Sequence, residues 1–187
     1  MGTWIGYKEW EGVCAALASG QQHLLLRKGG IHEGREGFSF KHERFVLFPT
    51  RFHAQADQLR MDFEVSGGEW EPGDEVPLEL VAEAVWAKTF TDWEVVAQLS
   101  GYHRWTEDLV RERFDWGEGE SCIHCALVRV WQAPEPWMLT YEKKYGGCRS
   151  WVDLPDPPEG WAESLVSVVG DEEFETVSQR LQETISK

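Results

Sequence analysis

The stretch Ala15-Ala-Leu-Ala-Ser-Gly20-Gln-Gln-His-Leu-Leu-Leu-Arg27 decides the fold reading. Trp10, Val13, Cys14 and Leu17 recur at helical spacing, which places a short helix over residues 10–18. Ser19-Gly20 stops it, because glycine tolerates the left-handed backbone that helix ends use. The apolar run at 23–27 is too short for a helix and reads as a buried strand running into the loop Lys28-Gly29-Gly30. Working outward, residues 44–48 form a second strand closed by Pro49-Thr50, and residues 51–59 look helical. Residues 64–77 are a solvated connection. Leu78, Leu80, Ala82, Ala84 and Trp86 then alternate along a long strand over 78–90. Two short helices follow at 92–99 and 106–114, the second capped by Thr106. Strands at 121–131 and 137–144 complete the pattern. Strands with little room for crossover helices give an α+β fold with antiparallel pairing, as a curved sheet or small barrel.

Residues 1–155 are expected to form one domain. The segment 156–187 is expected to be a linker plus an amphipathic helix, on which Phe174, Val177, Leu181 and Ile185 repeat at helical spacing. That stripe packs on the domain or serves a partner or dimer helix.

The 187 residues carry a net charge of −15, unevenly spread. Residues 1–60 hold 8 Lys/Arg against 6 Asp/Glu, and residues 61–187 hold 10 against 27. An acidic chain repels polyphosphate at long range, so broad binding to duplex DNA is disfavoured, while a local basic site is not. No uncharged stretch approaches the roughly 20 apolar residues of a membrane span. No basic-then-apolar leader precedes residue 12, and the expected location is the cytoplasm. The four cysteines, Cys14, Cys122, Cys125 and Cys148, are expected to be reduced thiols. Cys122 and Cys125 have half-site spacing for zinc, but no second pair exists and a strand points them to opposite faces. No metal and no cofactor are expected.

The segments Glu9-Trp10, Ala16-Leu17, Leu26-Arg-Lys-Gly-Gly-Ile31, Phe48-Pro-Thr50, Arg104-Trp-Thr106, Arg113-Phe114 and Gly147-Cys-Arg-Ser-Trp151 resemble one bacterial family, the domain-of-unknown-function 1802 family. The helix–glycine–strand–Arg stretch is more distantly similar to the opening of ASCH domains. This resemblance implies a PUA-like fold, a small β-barrel with flanking helices, whose members bind RNA, modified DNA bases or nucleosides in a cleft. ASCH members with amidohydrolase activity carry a Lys shortly after the glycine, where this chain has Gln21 and Gln22.

Arg27 and Lys28, at the mouth of a Gly-Gly turn, suit a phosphate or carboxylate. Thr50 and His53 lie at a strand-to-helix junction whose free N–H groups favour anions. Arg104-Trp105 and Arg149-Ser-Trp151 pair a guanidinium with an indole, a stacking surface for a base. Trp86, Trp116 and Trp131 are expected in the core. Lys28, His32, Glu33 and His53 are the candidates for acid–base or metal chemistry. Three functions follow: a module binding a nucleotide, modified base or short strand in an electropositive cleft; a small hydrolase or nuclease; or a non-catalytic interaction protein. Whether the chain is an enzyme stays open.

Overall fold

A computed structural model of the chain describes residues 4–28, 39–116 and 120–186, without the side chain of His53. Seven strands form one sheet: β1 (Trp4–Trp10), β2 (Leu24–Lys28), β3 (Arg44–Thr50), β4 (Glu75–Phe90), β5 (Ile123–Thr140), β6 (Trp151–Leu154) and β7 (Val166–Ser167). Four helices accompany it: α1 (Glu11–Ala18), α2 (Trp93–Gln98), α3 (Glu107–Phe114) and α4 (Asp171–Ile185). The strand order is β2-β5-β4-β3-β1-β6, with β7 beside β5. Only β1 and β3 pair in parallel. The fold is mixed α+β, as the element order requires.

The sheet does not close into a barrel. Its ladder ends at β2 on one side and β6 on the other. Yet the Arg27 side chain donates to the Lys8 carbonyl of β1, and its guanidinium lies 4.5 Å from the centre of the Tyr7 ring. The sheet therefore curls until β2 and β1 are one side chain apart, and a cation bridges a seam that no backbone ladder spans.

β3 is buried on both faces. Phe45 and Leu47 join a core with Tyr7, Leu24 to Leu26, Trp105, Phe114, Phe174 and Leu181. Val46 and Phe48 face a second core with Leu78, Trp137, Tyr145 and Trp161. α4 thus places Phe174 and Leu181 in the first core, and Val177 and Ile185 are partly buried. Among the described residues no helix is long and apolar enough to cross a membrane.

Several elements depart from the sequence reading. β1, β6 and β7 are strands it does not contain, the helix expected at 51–59 is a 3₁₀ turn (His53–Gln58), and the two strands expected at 121–131 and 137–144 are the single strand β5. Pro134 and Pro136 mimic a break, but they fall where register jumps from Leu80↔Gln132 to Leu78↔Trp137. At such a bulge a missing N–H costs no ladder bond.

Candidate binding cleft

The seam between β2 and β1 opens into a cavity of about 680 Å³, within the range of roughly 300–1,000 Å³ usual for ligand sites. Four elements aim side chains into it. β1 contributes Lys8 and Trp10, β2 contributes Arg27 and Lys28, and the end of β3 contributes Phe48 and Thr50. α3 and the segment just beyond it supply Arg113 and Trp116, and the loop before β6 supplies Tyr145, Cys148 and Arg149. Among the described residues, five cations thus face two lining carboxylates, Glu69 and Glu112.

Alternation along β1 explains the floor. Tyr7 and Lys8 point to opposite faces, so Glu9 returns to the first core, where it is fully buried. Its Oε1 accepts from the Trp10 N–H at 2.8 Å, and its Oε2 lies 3.6 Å from Arg27. A buried carboxylate requires such a partner. Arg113 packs between two indoles, 4.6 Å from the Trp10 ring centre and 5.2 Å from that of Trp105. Burial lowers its pKa to about 10, against the raising influence of Glu9. Its buried Nη1 has no hydrogen-bond partner among the described residues.

Lys8 donates to the carbonyls of Tyr145 (3.0 Å) and Gly147, tying the loop before β6 to the cleft. Burial lowers the pKa of its ammonium; Cys148 opposes that shift, and Arg149 and Arg27 add to it. Lys28 stands 3.6 Å over the Trp116 ring, and Arg51 stands 3.6 Å over that of Trp70. Trp70 is fixed by its N–H bond to the Pro49 carbonyl at 2.8 Å. Trp10 and Phe52 meet edge to face at 4.8 Å. The walls are therefore largely aromatic, and cations outnumber carboxylates among the described lining groups.

Of the residues singled out from sequence, Arg27, Lys28, Thr50 and Arg149 line this cavity. The Thr50 hydroxyl is already bonded to the Glu9 carbonyl at 3.0 Å, so it shapes the wall. His53 opens a six-residue 3₁₀ turn, and its side chain lies outside the described residues. His32 and Glu33 also lie outside them. Trp151 stands in a smaller adjoining cavity that Arg149 also lines.

Arg104 and Trp105 do not join the cleft lining. Trp105 is wholly buried behind Arg113, because a short bridge pairs it with Leu59 and its carbonyl accepts from Arg60. The Arg104 N–H is held by Gln22 Oε1 at 2.9 Å. Gln22 is itself buried and donates to the Leu24 carbonyl, a structural use of that position. Trp116 is no core residue, being 49% exposed at the cleft mouth. Trp86 and Trp131 are also only partly buried. Sequence reasoning missed Lys8, Trp10, Trp70 and Arg113 as lining residues. The clue was the alternation in Trp4-Ile-Gly-Tyr-Lys-Glu-Trp10, which puts Lys8 and Trp10 on one side of a strand.

Cys125 is buried on β5 and Cys122 precedes that strand. Among the described residues no group of three or more His, Cys, Asp or Glu is placed to hold a metal ion.

A family model described as "Domain of unknown function (DUF1802)" matches residues 6–180, and the chain belongs to that family. No curated protein matches it. Among solved structures it is similar to the ASCH protein of Zymomonas mobilis, with 14% identity over 94% of this chain and 93% of that one and a TM-score of 0.44. A single-substitution variant of the same protein matches at 14% identity, 94% and 96% coverage and a TM-score of 0.45.

Proposed function

We propose that this cleft binds an anionic, planar ligand of the nucleotide class: a nucleotide, a phosphorylated modified base or a short nucleic-acid strand. One observation carries the reading. A chain of net charge −15 gathers Lys8, Arg27, Lys28, Arg113 and Arg149 around one aromatic-walled cavity that, among the described residues, two carboxylates line and the buried Glu9 underlies. Concentrating like charge costs energy unless an anion offsets it. Indole rings that already carry cations offer a base both stacking and cation–π partners. The reading agrees with the ligands that the PUA-like resemblance implies.

The test is a thermal-shift and tryptophan-fluorescence screen with nucleosides, nucleotides and short RNA and DNA, with and without divalent metal. Nucleotides are expected to raise the melting temperature, and their parent nucleosides to do so much less. Arg149→Ala is expected to weaken nucleotide binding by about 1–3 kcal/mol, the loss of a charge-assisted bond. Equal binding of nucleoside and nucleotide, or indifference to Arg149→Ala, overturns the reading.

A further inference from the structure

The geometry points to two adjoining compartments on either side of the loop before β6, filled by two nucleoside units with Arg149 on the phosphate that joins them. This deepens the nucleotide reading above and rests on it.

A second cavity of about 270 Å³ adjoins the cleft. It is smaller than the roughly 300–1,000 Å³ of a self-standing ligand site, so it suits an extension of a ligand already held next door. Two residues line both cavities, Tyr145 and Arg149. Their roles differ. Tyr145 is 1% exposed and packs against Phe48 at 5.5 Å, making a fixed partition. Arg149 is exposed, and its Nη2 donates to the Lys144 carbonyl at 2.9 Å. Guanidinium carries five N–H donors in a planar fork, so further donors remain for a phosphate crossing the partition.

The second compartment repeats the chemistry of the first on a smaller scale. Trp151, held from the core side by Tyr7 (4.8 Å) and Phe45 (5.2 Å), supplies an indole with the His42 ring edge-on at 4.8 Å, and Lys144, paired with Glu142 at 2.6 Å, supplies a cation opposite the lining Asp153. An indole and cations on both sides of one shared arginine match a ligand with a ring on each side of a phosphate bridge. Such a bridge occurs in a 3′,5′-linked strand and in a 5′,5′-linked dinucleotide, and the two share this chemistry.

The test compares four ligands by titration calorimetry: AMP, ADP, the 5′-phosphorylated dinucleotide pApA and diadenosine 5′,5′-diphosphate. ADP controls for added charge without a second base. At least one two-base ligand is expected to bind about tenfold or more tightly than ADP, the usual contribution of one further stacked base. Which one gains separates a strand from a 5′,5′-dinucleotide. His42→Ala is expected to cut that two-base advantage to about threefold or less, read as the ratio of the two affinities. Two-base ligands binding within about twofold of ADP would sink the compartment inference while leaving the nucleotide reading standing. So would a His42→Ala effect of equal size on ADP and on the two-base ligand. Absence of saturable binding by all four defeats both.

Discussion

Glu9 and Arg27 set the energetics of the cleft floor. Glu9 has no exposed surface, and Arg27 is the guanidinium nearest its carboxylate. Removing one member of a buried pair strands the other charge, at a cost of about 3–5 kcal/mol. Arg27→Ala is therefore expected to lower stability by that amount in urea unfolding. Glu9→Gln added to it should restore part of the loss, since the stranded charge is then gone; an additive double variant would show that the two side chains do not interact. A second residue speaks through pH. His103 is buried, and burial foremost, then Arg60, Arg104 and Arg113, lowers its pKa from 6.5 to about 3. Between those values the unfolded chain binds a proton that the folded chain refuses. This stability is complete above pH 6.5 and is lost as pH falls toward 3, on the order of 4 kcal/mol in all. Unfolding midpoints of the natural chain and His103→Gln should converge in slope if another group is responsible, and the natural chain should show the steeper acid loss if His103 is. Arg27, Lys28 and Arg149 were legible as cleft-lining because the sequence sets the first two where a strand runs into Gly29-Gly30 and the third beside Gly146-Gly147. Arg113 and Lys8 were not, because a cation inside a helix or strand reads as a solvated face until the partner elements are known.

Elements were read best where local chemistry alone decides. Thr106 caps α3, its hydroxyl accepting from the Leu109 N–H at 3.4 Å, and Gly20 ends α1 with φ of +68°. They were read worst where a neighbour decides. β1 is a strand because β3 and β6 flank it on both sides, as in Gly6↔Val46 and Gly6↔Val152, a fact stored far along the chain. Gly12 shows the same dependence. Within a helix, Gly→Ala ordinarily gains about 1 kcal/mol. Here a Cβ would meet Leu59 Cδ1 at 2.3 Å and Phe63 Cδ1 at 2.9 Å. Leu59 is buried and has little room to yield. Gly12→Ala is expected to destabilise by about 1–3 kcal/mol, the usual cost of overpacking. A stabilised variant in thermal unfolding would mean that the 59–63 segment moves aside freely, and that the cleft wall it supports is loose.

At the scale of the molecule, the uneven charge seen in the sequence becomes a field with a short basic patch inside an acidic surround. The first 60 residues supply Lys8, Arg27 and Lys28, and only Arg113 and Arg149 arrive from the acidic remainder. The Debye length is about 10 Å at 0.1 M salt, so a ligand bound as proposed would feel chiefly these five cations, with Glu9 offsetting part of Arg27. On the proposed reading, a longer strand would extend beyond the patch onto a chain whose remaining charge is acidic. Each phosphate neutralised on a single strand contributes about 0.7 to the slope of log affinity against log salt. Five cations therefore cap that slope at about 3.5, and the lining Glu69 and Glu112 lower it further. Affinity for a hexanucleotide, whose linkages are enough to meet all five cations, is expected to fall as salt rises, with a slope below this cap. A strand of about 20 nucleotides is expected to give the same slope, because the added phosphates meet no added cations. Fluorescence-anisotropy titrations at several salt concentrations measure both. A slope that steepens with strand length would mean that an extended basic track exists beyond the cleft, and that the acidic surround does not confine the ligand.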